Sequence, residues 1–366
     1  MNKKILSVAI SSLVCGLYIN PNLAWADDAN LKIGGAVRFQ YINESYDNSH
    51  QKGSMDFDTF RLNIDGKKED LVLSAEWRWY NNMNTLHHAW VGYDFNKYNQ
   101  AQAGLILIPF GNQSYNSHSL FFSSNYYLGL EESYALGAKY IFNNENFNVQ
   151  AALVKNSANG LDGTNENFSF VLTQDSSDEP AGTINTGVLR TTLKSQPTQD
   201  LRIEAGASVL HGQLHNIEDG INVGNYGAYA IHADINYGRF NTKLQATKYD
   251  YDFQNDDNVM VLGAYGNDYD TPTSGDTYTA GVAYYIPLNF KNIDGIDIYN
   301  DFSLVNHKSG GFDKTTMNVL GVGISAGAVY TYIDYIAARN QPFLGDTFVS
   351  NGHVNHRFNI NVGYYF

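Results

Sequence analysis

The feature that most restricts the fold of this chain is an alternation of period two, repeated in segments of about ten residues. In Leu71 to Tyr80 one face carries Leu71, Leu73, Ala75, Trp77 and Trp79, and the other carries Val72, Ser74, Glu76, Arg78 and Tyr80. In Leu201 to Leu210 the apolar series Leu201, Ile203, Ala205, Ala207 and Val209 opposes Arg202, Glu204, Gly206, Ser208 and Leu210. Such a pattern is a strand with two different surroundings, one on each face. Sixteen segments read this way: 31–41, 57–66, 70–80, 86–95, 100–110, 134–143, 146–156, 186–195, 200–211, 226–238, 239–250, 277–288, 295–307, 315–325, 328–338 and 353–366.

The connections sort by length. Short ones (66–70, 96–100, 143–146, 195–200, 238–239, 287–294 and 325–327) alternate with mostly long ones (42–56, 111–133, 157–185, 212–225, 251–276 and 339–352). Two of the second set, 81–85 and 308–314, are short for that role. An even strand count with turns sorted in this way predicts a transmembrane antiparallel β-barrel, all-β and of sixteen strands. Hydrocarbon demands it, because strands can cross a bilayer only as a closed sheet whose backbone groups are paired internally.

Composition agrees. Of 366 residues 43% are hydrophobic and only 16% charged, yet mean hydropathy is −0.34. Charge below the roughly 25% of a soluble domain, together with negative hydropathy, fits strands with one lipid face and one wet face. The 27 Tyr and 20 Phe fit girdles at the membrane interfaces, with Trp77, Trp79, Trp90 and Tyr364 as candidates. The net charge of −14 argues against nucleic acid as a partner, and a single Cys excludes an internal disulfide.

Residues 1–26 have the layout of a cleaved signal peptide: Lys3 and Lys4, an apolar run from Ile5 to Ile19, then Ala24-Trp25-Ala26. Residues 27–366 then form one barrel domain without cysteine, and loss of two lysines takes the net charge from −14 to −16.

A lipid-facing Arg or Lys at mid-bilayer costs about 2–4 kcal/mol, so parity assigns the charges. Lys32, Arg38, Arg61, Arg78, Lys139, Arg190, Lys194, Arg202, Lys243 and Arg357 fall opposite the apolar faces, as do Asp65, Glu76, Asp94, Glu204, Asp234, Asp297, Asp301 and Asp334. These are the candidate pore-lining residues, Arg38, Arg61, Glu76, Arg78, Lys139, Arg190, Arg202, Glu204, Asp234, Lys243, Asp334 and Arg357 above all. The interior is near charge balance. The acidic excess sits in two loops without Lys or Arg: Asp162, Glu166, Asp175, Asp178 and Glu179 in one, and Asp252, Asp256, Asp257, Asp268, Asp270 and Asp276 in the other. Solvation of the loops accounts for that excess; bridging to lipopolysaccharide through divalent cations is the alternative.

The chain ends in an apolar face of Phe358, Ile360, Val362, Tyr364 and Phe366, a terminal aromatic strand that resembles the insertion signal of outer-membrane barrels. Phe60-Arg61-Leu62-Asn63-Ile64-Asp65-Gly66-Lys67, and Gly104-Leu105-Ile106-Leu107-Ile108-Pro109-Phe110-Gly111, are similar to segments of the phosphate-selective porin O and P group. Leu107 stands where that group often has Lys. The resemblance implies a sixteen-stranded porin of a Gram-negative outer membrane, in contact with lipid and lipopolysaccharide, and a homotrimer. It also implies that the connection 111–133 enters the lumen as a constriction, with Ser114, Tyr115, His118, Tyr126, Glu131 and Glu132 as its residues. Phe121, Phe122, Tyr126 and Tyr127 favour the same reading, since together they are costly to leave in water.

The expected function is diffusion of small hydrophilic solutes or ions through a water-filled barrel, mildly anion-preferring, with no cofactor. A channel specific for phosphate or a sugar is the alternative. An adhesin with a closed lumen ranks lower, and a barrel hydrolase lower still, because no His has a local motif setting it beside a Ser and an acid. Asp250-Tyr251-Asp252 and Asp256-Asp257 lack the Gly and Glu of a calcium loop. His87 and His88, adjacent in a strand, are expected on opposite faces and therefore unable to share a metal.

Overall fold

The computed structural model describes residues 30–47, 52–157, 165–175, 177–255 and 257–366. The segment read as a signal peptide, and Asp162 and Asp256, lie outside the described residues. Sixteen antiparallel strands close into a barrel: β1 (Asn30–Glu44), β2 (Ser54–Lys68), β3 (Leu71–Trp79), β4 (Asn84–Asn96), β5 (Asn99–Leu107), β6 (Tyr134–Asn143), β7 (Phe147–Ser157), β9 (Ala181–Ser195), β10 (Leu201–Asn216), β11 (Asn222–Tyr237), β12 (Phe240–Phe253), β15 (Ser274–Phe290), β16 (Ile293–Asn306), β17 (Thr315–Ala326), β18 (Val329–Arg339) and β19 (Asn355–Tyr365). Each of the sixteen expected segments is one of these strands. The seam pairs Ala36 with Tyr365 through Glu44 with Arg357, and Gly35 and Phe366 exchange backbone hydrogen bonds of 2.9 and 3.1 Å.

Side chains sort as parity requires. Leu71, Leu73, Trp77 and Trp79 on β3 are exposed, whereas Glu76 and Arg78 are buried. On β19 Val362, Tyr364 and Phe366 are exposed, whereas Asn359 and Asn361 are buried. Of the girdle candidates, Trp77, Trp79 and Tyr364 point outward. Trp90 instead shares the inward side of β4 with Gly92, whose added Cβ would lie 3.2 Å from the Trp90 ring.

Two connections differ from expectation. Strands β10 and β11 stay paired past Gln213 and Asn225 to His215 and Asn222, so the long loop expected at 212–225 is a short one. Pro287 belongs to β15, paired with Gly295 of β16. On its other edge β15 pairs with β12 only as far as Tyr284, so the N–H that proline lacks is not needed there.

Three further strands lie outside the barrel wall: β8 (Val171–Gln174), β13 (Val259–Ala264) and β14 (Asn267–Pro272) form one small sheet. They come from the two acidic loops. The segment Phe168-Ser169-Phe170-Val171-Leu172 and the segment Val259-Met260-Val261-Leu262 supply an apolar face within otherwise solvated sequence.

Candidate functional site

The connection after β5 is anchored on the inward side chains of distant strands. Gly111, at φ 62°, has the Gln245 side chain where a Cβ would sit, 2.3 Å away, so only glycine allows this approach. Its carbonyl accepts a 2.7 Å bond from Arg190 Nε, and its N–H donates to Ser208 at 3.1 Å. Asn112 N–H donates to Gln245 Oε1 at 2.8 Å. Further on, the backbone N–H groups of His118 and Ser119 both donate to Asp301 at 2.8 Å, while the His118 ring contacts Asp301 at 2.9 Å and Asn241 at 2.6 Å.

A one-turn helix α1 (Ser124–Tyr127) follows, fully buried and capped by Ser123. Ser124 bonds Ser303 at 2.8 Å and Gln341 at 3.0 Å, and Asn125 accepts from Thr277 at 2.5 Å. The segment thus passes from β9 and β10 to β15 and β16, then returns to β6. Glu131 ties its two halves together, accepting from Asn116 N–H at 2.8 Å and Ser123 Oγ at 2.5 Å. Burial raises the Glu131 pKa, and these bonds act against the rise.

Of the six constriction candidates, His118, Glu131 and Glu132 make these and similar anchoring contacts, and Glu132 accepts from Tyr134 at 3.2 Å. Tyr115 stacks near Phe122 at 5.0 Å, and Ser114 is exposed. Tyr126 enters an aromatic core instead. Its ring lies 5.9 Å from Phe168 and 5.2 Å from Phe170, and its hydroxyl bonds that of Tyr265. Tyr127, Tyr269, Phe343 and Phe348 complete the cluster, with Tyr269 donating to the Tyr127 carbonyl. Loops after β5, β7, β12 and β18 therefore meet in one apolar core at the long-loop end of the barrel.

At the short-turn end lies a polar cavity of about 760 Å³, lined by Arg190, Lys194, Arg202, Glu204, Asp234 and Gln113 among others. Arg190 spans it, reaching Asn148 at 3.0 Å and Glu204 at 3.1 Å as well as Gly111. Asp234 accepts from Asn241 at 2.6 Å. A row of amides continues along the wall: Gln113 to Gln150 to Asn148 at 2.8 Å each, and Gln102 to Gln100 at 2.6 Å.

The other lumen candidates pair closely. Arg38 meets Asp58 at 2.8 Å, Arg61 and Arg78 flank Glu76 at 4.0 and 2.5 Å, and Arg357 meets Glu44 at 3.0 Å. Arg61 and Arg78 stand directly opposite in register. Lys139 donates to the Leu107 carbonyl at 2.9 Å, Lys243 reaches the Ser117 carbonyl at 3.5 Å, and Asp334, fully buried, holds the Tyr299 hydroxyl at 2.6 Å. Arg78 lies over the Phe168 ring at 4.6 Å, and Arg357 over Phe121 at 4.8 Å, so both guanidiniums connect the wall to the loops.

The expected separation of His87 and His88 is corrected. Glu76 pairs with His88 and Trp77 with Leu86, which makes His87 the extra residue of a β-bulge. A bulge interrupts alternation, and here it turns both rings inward, their Nδ1 atoms 2.8 Å apart. Glu76, His87 and His88 bring one ligand atom each within 4.8 Å of one another.

No family model matches the chain, and no curated protein matches it in sequence. Solved structures do match in fold. The chain is similar to an anion-selective porin from Comamonas acidovorans (TM-score 0.63, 12% identity, 93% of this chain and 100% of that one). It is also similar to outer-membrane expressed OmpT of Vibrio cholerae (TM-score 0.59, 13% identity, 93% and 99%), and to a trimer form of in-vitro folded OmpT (TM-score 0.57, 12% identity, 93% and 100%). The chain has the closed sixteen-stranded antiparallel barrel fold of these outer-membrane proteins.

Proposed function

We propose that the protein is a porin of a Gram-negative outer membrane, passing small hydrophilic solutes or ions down their gradients with a modest preference for anions. The observation that carries this reading is the polar cavity behind the 111–133 segment, lined by Arg190, Lys194 and Arg202 together with Glu145, Glu204 and Asp234, with the amide row continuing from Gln113. Charges in a narrow low-dielectric passage act on ions far more strongly than in bulk water. Fold likeness to an anion-selective porin is consistent with it. The constriction is the 111–133 segment together with the aromatic core beside it, and the charges of β1, β2, β3 and β19 form the wall facing it.

The remaining parts follow from the same reading. Residues 1–26 serve as the export signal, and Phe358, Ile360, Val362, Tyr364 and Phe366 present the terminal aromatic face to the insertion machinery. The exposed apolar wall meets lipid, the acidic loops meet lipopolysaccharide, and the barrels associate as homotrimers, as one similar protein does in its trimer form. No catalytic role is assigned. A phosphate- or sugar-specific channel is the narrower form of the proposal.

Solute entry into liposomes carrying the refolded protein tests it. Swelling in small sugars and in chloride or phosphate salts, declining steeply with solute size, is the expected outcome. Entry of phosphate alone would support the narrower form, and no entry of any solute would remove the porin reading.

A further inference from the structure

We propose that Glu76, His87 and His88 form a binding site on the inner wall for a divalent transition-metal ion of the zinc class. The argument starts from hydrogen-bond direction. Ser74 Oγ donates its single hydrogen to Asp65 Oδ1 at 2.7 Å and lies 2.9 Å from His88 Nε2. With that hydrogen spent, the hydroxyl can only accept from His88. His88 therefore carries its proton on Nε2 and presents a bare lone pair at Nδ1.

The far nitrogen of His87 is held less closely. Its Nε2 is 3.5 Å from Glu132 Oε1 and has no hydrogen-bond partner, and the ring is 3% exposed. Without a metal, its Nδ1 therefore holds the hydrogen and donates it to the bare His88 Nδ1 at 2.8 Å. An ion between the rings takes the place of that one proton, drawing on both Nδ1 lone pairs and moving the His87 hydrogen to Nε2, on the side of Glu132. Glu76 Oε1 is 3.7 Å from His87 Nδ1 and supplies the third donor.

This is the arrangement metal-binding histidines adopt: one ring nitrogen on the metal, the other donating to a carboxylate or to a group that a carboxylate orients. His88–Ser74–Asp65 is one such outer contact, and Glu132, 3.5 Å from His87 Nε2, stands where a second would form. Ligand atoms of a tetrahedral zinc site lie about 3.3 Å apart, given bonds of 2.0–2.1 Å, so a small parting of the two rings admits the ion. Two imidazoles with one carboxylate select zinc, copper or nickel over magnesium and calcium. Nearby Arg61 and Arg78 are matched by the carboxylates of Glu76 and Asp65, and Glu76 Oε1 has lone pairs for both Arg78 and an ion. The bulge at His87 is what makes the site, since regular alternation would send one ring to the lipid.

The test uses the full mature barrel refolded in detergent. Zn²⁺ titrated in excess Mg²⁺, which saturates carboxylate-only loop sites, is expected to bind at one ion per chain. His88→Ala and Glu76→Gln are each expected to weaken that binding by about tenfold or more. Cu²⁺ loaded into the unmodified protein is expected to give an electron paramagnetic resonance spectrum with two nitrogen donors, a readout that depends on no variant. Absence of Zn²⁺ binding over Mg²⁺, a copper spectrum lacking two nitrogens, or a spectrum unchanged in folded His88→Ala would each overturn the proposal.

Discussion

The two ends of the barrel interior are built from different chemistry. At the long-loop end Phe168, Phe170, Tyr126, Tyr127, Tyr269, Phe343 and Phe348 pack into an apolar core. At the short-turn end arginines, lysine, acids and amides surround an open cavity. The same strands serve both, so the difference comes from what the loops add. Four loops contribute aromatic residues to one end, and turns of a few residues add nothing comparable at the other. On the proposed porin reading, the apolar end sets how large a solute can pass, and the polar end sets which charge is favoured.

Loosening the apolar end should have the largest effect. Removing a buried Phe costs about 3–5 kcal/mol in an ordinary core. The double substitution Phe168→Ala, Phe170→Ala should therefore part the loops and raise single-channel conductance roughly twofold or more. Detergent-resistant barrel structure should persist, because the strand ladder does not depend on these rings. Unchanged conductance would mean that the aromatic core does not limit passage.

Next in size is the polar end. Arg202→Glu replaces a cavity-lining cation by an anion and should reverse or abolish the anion preference measured as a reversal potential in a salt gradient. The same change at Lys32, exposed near the start of β1, should do far less. Equal effects at the two positions would show that the cavity does not set selectivity.

Glu131→Gln should have a smaller effect, confined to the inward segment. The neutral amide keeps an acceptor but loses the charge-assisted bonds to Ser123 and Asn116, which are worth about 1.5–3 kcal/mol each when a charged group is involved. Noisier channels with more frequent brief closures are expected. A quiet channel would argue that Glu131 does not hold the segment.

The smallest effect concerns Lys308, in the loop after β16. Its ammonium donates to the carbonyls of Asp313 and Phe348 at 2.6 Å and to Thr315 at 2.8 Å. Burial lowers its pKa from 10.5 to about 7. Between those values the unfolded loop binds the proton more tightly than the folded one, so loop stability rises as pH climbs from about 7 towards 10.5. Below 7 the burial cost is present in full. Hydrogen exchange at Thr315 and Phe348, corrected for intrinsic rates, should show more protection at pH 9 than at pH 6.5, and Lys308→Met should remove the difference.

The strands were legible because two solvents impose opposite demands on adjacent residues. Leu73 beside Ser74 and Trp77 beside Arg78 leave only one consistent register for β3. The outer sheet was hidden for the opposite reason: the acids of its loops outweigh a short apolar run such as Phe168 to Leu172, which was the available signal. Strand parity failed at His87 because a bulge inserts one residue without a composition of its own. An inward path for 111–133 was implied by the porin resemblance and favoured by the segment's aromatics. Its anchors were not, since Asp301 and Gln245 lie more than a hundred residues away and only the closed barrel brings them near.

Single-channel recording of the refolded protein under a salt gradient tests the central claim most directly. A small, stable current with a reversal potential displaced modestly towards the anion side is the predicted result. A barrel that inserts yet carries no current, or one that is strongly cation-selective, would contradict it.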